Sequence, residues 1–347
     1  MIFAVALILM VTGSCPQSKV ITPPAATAST TAVVPADVGG VTTGTAASSS
    51  FAASGHDQAQ QQGGGGPGGA HRTMVGDSGH TEAADPARRA QDGPMSKPTW
   101  TGPSVALVTL FGDNGDVLVE ETAAHAARLA GVGLRGLLVA GSTGEAAALT
   151  DTERVDLVAA VRQACPDVPV VAGSGGEWWA PAVARTEAVV KAGADAVLVA
   201  PPRLGGSLDE YYTRVAEAAG DAPVLAYHYP GVAGGEVPVE ALPGLPLAGV
   251  KDSSGIPVRL AEEIDLEWPG AVYTGSSALI GYAAWLGATG VIVASANLVP
   301  EDVMAAWNGD ATAQRAVIRA ERAYKAKGGL KLAMADRYGT PAGRRLG

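Results

Sequence analysis

The stretch Leu247–Gly255, LAGVKDSSG, places one lysine at the end of a short apolar run. An apolar run of this length, followed at once by polar residues, is typical of a buried strand in a parallel sheet. Lys251 ends the run, where loss of contact with water disfavours the ammonium form and lowers the pKa of the amine. A neutral amine can attack a ketone and form an imine. The stretch therefore predicts a core strand that ends in a candidate nucleophile; a lysine that merely begins a loop is the alternative.

Similar apolar runs recur seven more times after residue 99, separated by stretches rich in Ala and Leu. This alternation is typical of parallel strands connected by helices. Eight such units in about 250 residues predict a TIM (β/α)8 barrel. A doubly wound open sheet is the alternative, but the glycine pattern of a dinucleotide site does not follow the first strand. The predicted strands are 105–109, 136–140, 168–172, 196–200, 223–228, 248–251, 271–274 and 290–294.

Local signals also predict where helices begin. Thr150–Glu153 and Ser207–Glu210 match the capping box, in which a hydroxyl and a glutamate satisfy free amides at a helix start. Three valines give the first of these helices a predicted buried stripe: Val155, Val158 and Val161. After the eighth strand, a short helical extension is predicted over 301–307, 311–327 and 330–338.

Chemically unusual residues cluster where the predicted strands end. In a TIM barrel the chemistry lies at the C-terminal ends of the strands, so these residues are expected to share one mouth. Tyr227 ends strand five, beside the strand that carries Lys251, while His228 should point to the opposite face. The other strand ends run into Gly141–Glu145, Gly173–Gly176, Gly275–Ser277, and Ser295 with Asn297.

Five of these motifs together resemble a known family, the dihydrodipicolinate synthase and N-acetylneuraminate lyase family of class I Schiff-base aldolases. The resemblance covers residues 103–345. It depends on the order of the motifs and on their positions at strand ends, because GSTGE alone is a weak signal. The motifs are VALVTLF (105–111), GSTGE (141–145), YHYP (227–230), GVKDSSG (249–255) and GATGVI (287–292).

The resemblance assigns roles to individual side chains. It implies that Lys251 forms the imine and that Tyr227 shuttles protons, although a core tyrosine would occupy the same place. It also implies that Ser142 and Thr143 hold the carboxylate of pyruvate or a related 2-oxo acid; a tight strand-to-helix turn is the alternative. The family usually has two threonines there, so Ser142 is a mild departure that keeps the hydroxyl. The predicted substrate-binding set also includes Gly141, Ile292 and Arg203.

Two departures from the family pattern concern the second substrate. Pro201–Leu204 stands where the synthases have a tyrosine pair that completes a proton relay. Gly231–Gly234 stands where they carry an arginine for the second substrate's carboxylate. Loss of a charge-assisted contact weakens recognition of that carboxylate. These departures argue against the lysine-biosynthetic synthase. Arg203 could bind an anionic group of another substrate, or be a solvated surface residue.

Three functions follow from this set of residues. The first is reversible aldol cleavage or addition through an imine of pyruvate or another 2-oxo acid. The second is dehydration of a 4-deoxy-5-oxo sugar acid through the same imine. The third is a catalytically silent barrel that binds a small acid. No cofactor and no metal are expected, and the resemblance implies a homo-oligomer, typically a tetramer.

Composition excludes several other classes of protein. The chain has 34 acidic and 24 basic side chains and a net charge of -10, whereas nucleic-acid binding requires clustered positive charge. Cys15 and Cys165 give neither a disulfide framework nor a metal-ligand pair. No membrane span is expected, because the apolar run at the start is too short to cross a bilayer.

The first part of the chain differs from the rest. Residues 1–98 contain no Tyr or Trp and are rich in Ala, Gly, Ser, Thr and Pro, so they are predicted to be disordered. The barrel is assigned to 99–298 and the C-terminal helices to 299–347. The resemblance implies one more helix where the sequence reaches Arg344–Gly347, so this helical part is expected to be truncated. The first 15 residues resemble an exported lipoprotein signal. A start at Met95 in a cytoplasmic enzyme is the preferred interpretation.

Overall fold

A computed structural model describes residues 100–346, which contain a closed barrel of eight parallel strands in the order β1 to β8. The predicted disordered segment, the signal-like start and the Met95 start lie outside these residues. The TIM-barrel prediction is confirmed. The strands are β1 Gly102–Ala106, β2 Leu137–Val139, β3 Val170–Gly173, β4 Ala196–Val199, β5 Val224–His228, β6 Gly249–Asp252, β7 Ala271–Thr274 and β8 Gly290–Val293.

Seven of the strands overlap their predicted ranges closely, and the first is shifted. The prediction 105–109 was wrong at both ends, because β1 already pairs with β8 from Gly102 onward. Only Leu107, whose amide donates to Leu138 O at 2.9 Å, continues the ladder beyond Ala106. The apolar residues after it belong to the loop above the strand and are buried by the elements around the mouth.

Helices surround the barrel and continue after its last strand. They are α1 Val119–Val132, α2 Asp151–Ala164, α3 Trp179–Lys191, α4 Leu208–Ala219, α5 Pro257–Asp265, α6 Ile280–Leu286, α7 Pro300–Trp307, α8 Ala311–Ala326 and α9 Leu330–Tyr338. Short 3-10 helices cover Ser142–Gly144, Ala146–Ala148, Val239–Gly244, Ser277–Leu279 and Ala294–Asn297. The predicted C-terminal extension is therefore confirmed as α7 to α9, while residues 339–346 are not helical.

The predicted helix starts are correct, with two corrections of detail. Thr150 and Glu153 form a reciprocal capping box at the start of α2. Ser207 caps α4 by accepting from the Glu210 amide, but the structure assigns only this half of the box. In α2 the buried stripe uses Leu157 with the predicted Val158 and Val161, whereas Val155 is only half-buried.

Side chains along each strand point alternately into the barrel and outward to the helices, and this divides the core into two layers. Side chains that face the interior of the barrel form one apolar cluster, which includes Leu225, Tyr227 and Tyr273. The residues between them, such as Val250, pack outward against the helices. His228 follows this rule, since its Nδ1 accepts a hydrogen bond from Val237 N at 3.1 Å. Among residues 100–346, no helix is long and apolar enough to cross a membrane.

Candidate active site

Lys251 lies on β6 at the level of Tyr227 on β5, with which it is paired in register. Its side chain is 3% exposed, and its Nζ lies 4.6 Å from the centroid of the Tyr227 ring. Burial lowers the pKa of Lys251 to about 7. A charged neighbour makes no contribution to this shift among the described residues. A large fraction of the amine is therefore neutral near physiological pH, as a nucleophile requires.

The neighbouring strand leaves room for this lysine. A Cβ atom at Gly275, directly after β7, would lie 3.0 Å from Lys251 Cε and 1.9 Å from Ser253 Oγ. Any side chain at position 275 would therefore displace the amine or the serine. The glycine keeps both groups at the mouth of the barrel.

Tyr227 connects the lysine to the Gly-Ser-Thr-Gly loop. Burial raises the pKa of its phenol, whereas the nearby side chains of Ser142 and Ser253 act in the opposite direction. A phenol beside two hydroxyls can pass a proton between them and a bound substrate. Ser253 was not predicted, although it lies two residues after Lys251 and strand alternation places it on the same face.

The loop Gly141–Gly144 is held in an unusual backbone conformation. Ala140 and Glu145, on either side of it, have φ angles of +52° and +56°, in the left-handed region that non-glycine residues rarely adopt. The loop is also tightly enclosed, because a Cβ at Gly144 would lie 3.0 Å from Thr109 Oγ1 and 3.1 Å from Leu107 O. Such strain persists only where surrounding contacts hold the backbone in place.

Arg154, on α2, supplies part of that support. Its guanidinium is buried and donates to Gly173 O at 2.7 Å, Ala146 O at 3.0 Å and Ala140 O at 3.3 Å. One side chain therefore joins the end of β3 to both sides of the loop. Burial, followed by the charge of Arg185, lowers the pKa of Arg154 to about 10, so the group stays cationic at neutral pH. Sequence reasoning missed this residue, because a charged position in an amphipathic helix gives no local signal.

A cavity of about 390 Å³ opens beside these groups. Of the predicted site residues, Gly141, Ser142, Tyr227 and Arg203 line it. Lys251 does not line the cavity itself but lies against the ring of Tyr227, which does. Thr143 is half-buried and also lies outside the lining. Ile292 is 1% exposed within the apolar cluster of the barrel, so the structure gives it a packing position and no place in the cavity wall.

The charges around the cavity favour an anion. Arg154 and Arg203 line the cavity, and neither has a carboxylate within 4 Å among the described residues. Arg203 donates to Gly231 O at 3.3 Å and Val232 O at 3.0 Å. Arg185 also lines the cavity, and its charge is shared with the exposed Asp151. Glu145 and Glu177 line the cavity as well, and Glu145 is paired with Lys331. Positive charge is therefore in excess around the cavity, which favours a small acid.

No group of three His, Cys, Asp or Glu side chains is placed to hold a metal ion within residues 100–346. Cys165 is a buried free thiol, and burial raises its pKa. The chemistry that this site offers directly is that of an amine, a phenol and hydroxyls.

Comparison with known proteins gives one consistent result. The model of the dihydrodipicolinate synthetase family matches residues 99–321. An uncharacterised DapA-like lyase of Halobacterium salinarum is 34% identical over 236 residues, covering 65% of this chain and 77% of the relative. A 4-hydroxy-tetrahydrodipicolinate synthase of Natronomonas pharaonis is 34% identical over 235 residues, covering 64% and 80%. The crystal structure of the chloride-inhibited dihydrodipicolinate synthase of Acinetobacter baumannii with pyruvate is 26% identical, with a TM-score of 0.58, covering 63% and 80%.

Proposed function

The chain belongs to the dihydrodipicolinate synthetase family, and from this premise we propose that it is a Schiff-base lyase acting on pyruvate or another 2-oxo acid. The observation that carries the proposal is the position of Lys251. It is a buried amine with a pKa lowered to about 7, and it lies against the ring of Tyr227. The pyruvate complex of the Acinetobacter baumannii relative supports the choice of ligand.

The proposed reaction begins with attack of the neutral Lys251 Nζ on the 2-carbonyl carbon. The carbonyl oxygen takes up protons and leaves as water, with Tyr227 as the proton donor and acceptor. The resulting protonated imine withdraws electrons from the adjacent carbon. It can then accept the electron pair of a breaking C–C bond. Alternatively, it can lose a proton from that adjacent carbon and give an enamine, whose carbon attacks an aldehyde.

The carboxylate of the oxo acid would lie against the Gly-Ser-Thr-Gly loop. The amides of Gly144, Glu145 and Ala146 donate within the loop, to the carbonyls of Gly141 and Ser142. We therefore assign carboxylate binding to the hydroxyls of Ser142 and Thr143 and to earlier amides of the loop. The cationic Arg154 behind the loop adds a favourable field.

The second substrate is proposed to differ from that of the lysine-pathway synthases. Gly231–Gly234 lacks the expected arginine, and the guanidinium of Arg203 contacts the carbonyls of this same segment. Arg203, in the loop after β4, would then offer a positive charge from a different part of the mouth. Because several relatives are named as 4-hydroxy-tetrahydrodipicolinate synthases, formation of that product is the first reaction to assay.

Dehydration of a 4-deoxy-5-oxo sugar acid is the second candidate. The segment Pro201–Leu204, in place of a tyrosine pair, favours it, because a dehydration needs no relay to an incoming aldehyde. Both reactions begin with the same imine, so they differ only in the bond that breaks.

A single experiment separates these functions. The purified chain is treated with pyruvate and borohydride, and its intact mass is measured, while a panel of oxo acids and sugar acids is assayed for pyruvate release and for loss of water. A covalent adduct with pyruvate release supports the lyase. An adduct with water loss and no pyruvate supports the dehydratase. Saturable binding of pyruvate with no adduct would contradict both and leave a binding barrel.

A further inference from the structure

Glu145 is the last residue of the GSTGE motif, and distant parts of the chain hold its carboxylate. Oε1 forms an ion pair with Lys331 Nζ, on α9. Oε2 accepts from the amides of Arg345 at 2.8 Å and Leu346 at 2.7 Å. Burial raises the pKa of Glu145, but these hydrogen bonds outweigh that effect and its pKa is lowered. The carboxylate is therefore ionised and fully engaged at neutral pH.

The backbone of Arg345 contacts Glu145, and its side chain contacts three other elements. The guanidinium donates to Glu153 Oε1 at 2.6 Å and Oε2 at 2.8 Å. It also donates to Ala148 O at 2.8 Å and Gly115 O at 2.7 Å. A bidentate pair of this kind fixes geometry as well as charge. Arg345 thus joins the loop after β1, the helical turn after GSTGE and the start of α2.

This network lies beside the strained loop and the cavity. Glu145 is one of the two left-handed residues that border Gly141–Gly144. Leu346, the next residue after Arg345, lines the cavity together with Ser142. Lys331 Nζ also donates to Gly343 O at 3.1 Å, so the segment is held at a further point.

We propose that Glu145, Lys331, Arg345 and Leu346 form a clamp that holds the carboxylate-binding loop in its strained conformation and supplies an apolar wall of the substrate cavity. Within this clamp Arg345 is a positioning residue, since it acts on the oxo acid through Glu145 and the loop. The inference rests on the proposed function, because it assigns the affinity for the oxo acid to a segment distant in sequence from the reacting amine.

The proposal predicts a specific kinetic pattern, in which binding and reactivity of the oxo acid change independently. Lys251 does not belong to the clamp, so loosening the clamp should weaken binding of the carboxylate and leave the reactivity of the bound oxo acid nearly unchanged. If the clamp were purely structural, loosening it would lower the melting temperature without separating binding of the oxo acid from its reactivity. Misplacement of a binding group by about 1 Å can cost up to about a hundredfold, so about a tenfold effect is expected from partial loosening.

The test measures borohydride trapping of pyruvate as a function of pyruvate concentration. Arg345→Ala should raise the half-saturating concentration about tenfold, with the saturating rate within about twofold of the parent. Arg345→Lys should be intermediate, because lysine keeps the charge but loses the bidentate pair. Arg315→Ala is the matched control, since Arg315 donates to Thr312 Oγ1 on α8 and to none of the clamp residues, and it should leave both values unchanged.

Hydrogen exchange of the Arg345 and Leu346 amides gives a second readout that does not depend on the chemistry. Both amides should be protected in the parent chain and exchange faster in Glu145→Gln. The proposal is overturned if they exchange freely in the parent, or if folded Arg345→Ala and Arg345→Lys keep the parental half-saturating concentration. Failure of the proposed function would look different: the parent would show no adduct while these amides remained protected.

Discussion

Two buried lysines in this chain each lie against an aromatic ring, but they are predicted to behave differently. Lys251 is 3% exposed and its Nζ lies 4.6 Å from the centroid of the Tyr227 ring. Lys331 is 5% exposed and its Nζ lies 4.3 Å from the centroid of the Phe111 ring. Lys331 forms an ion pair with Glu145, whereas no carboxylate lies within 4 Å of Lys251 Nζ in the part of the chain that the structure describes.

The difference shows what converts a buried lysine into a nucleophile. Burial lowers the pKa of both amines. For Lys331 the hydrogen bond and charge of Glu145 oppose that shift, and the pair remains ionic. For Lys251 nothing opposes it, and the pKa falls to about 7. Deeper burial and the missing counter-charge therefore together distinguish the proposed catalytic lysine from the structural one.

The largest expected effect is on covalent trapping. Lys251→Ala should abolish the pyruvate adduct and reduce turnover by about a thousandfold or more, because the variant lacks the amine that forms the proposed imine. Lys331→Met should still form the adduct at Lys251, although at higher pyruvate concentration. Intact mass spectrometry after borohydride treatment measures both. An adduct that persists in Lys251→Ala would contradict the assignment of Lys251 as the lysine that forms the imine.

The next effect concerns the aromatic partner of the reactive lysine. Tyr227→Phe keeps the ring against Lys251 but removes the hydroxyl, so turnover should fall by about a hundredfold or more through loss of proton transfer. Tyr229→Phe is the matched control, because its ring centroid lies 6.0 Å from that of Tyr227 and it does not line the cavity. Steady-state rates at saturating oxo acid compare the two. Equal losses of turnover in the two variants would contradict the role of the Tyr227 hydroxyl in proton transfer.

Replacing each of the two lysines by methionine should have different effects on the free energy of unfolding. Lys331→Met removes the ion-pair partner of the buried Glu145 carboxylate, which keeps only its two backbone amide donors. The free energy of unfolding should fall by about 3 kcal/mol. Lys251→Met removes a buried amine that has no counter-charge, so the free energy of unfolding should stay the same or rise. Urea denaturation at pH 7 measures both variants. A comparable loss in Lys251→Met would mean that its amine is paired in solution.

The smallest effect is the dependence on pH. The pKa of Lys251 is depressed from 10.5 to about 7, so between these values the unfolded chain binds more protons than the folded chain. The contribution of Lys251 to stability should therefore increase with pH across that window. The trapping rate should fall about tenfold per pH unit below pH 7, since only the neutral amine attacks. Measurements from pH 5.5 to 9 test this, with Lys251→Met as the stability reference; a flat trapping rate would contradict the low pKa.

Much of the barrel could be predicted from sequence because its signals are local. Apolar runs define the strands, and Thr150–Glu153 defines a helix start through neighbours only three residues apart. Lys251 and Tyr227 could be brought together because adjacent parallel strands end at the same edge. The position of β1 was displaced, since Leu107 to Leu110 are as apolar as the strand itself and only pairing with β8 shows where the ladder begins.

The parts that sequence could not predict depend on distant contacts. Arg345 meets Glu153 across 192 residues, and Lys331 meets Glu145 across 186. Arg154 looks like any charged helical residue until three carbonyl groups surround it. Ile292 was included for its place in a motif, although its side chain packs inside the barrel. Long-range polar contacts of this kind leave no periodic pattern in the chain.

The most direct test is a competition between the two buried lysines within one molecule. The chain is incubated with pyruvate and borohydride at neutral pH, digested, and the modified peptides are identified by mass spectrometry. We expect one reduced pyruvate on the peptide that contains Lys251 and none on the peptide that contains Lys331. Modification of Lys331 at a comparable rate, or of neither lysine while pyruvate binds, would contradict the account.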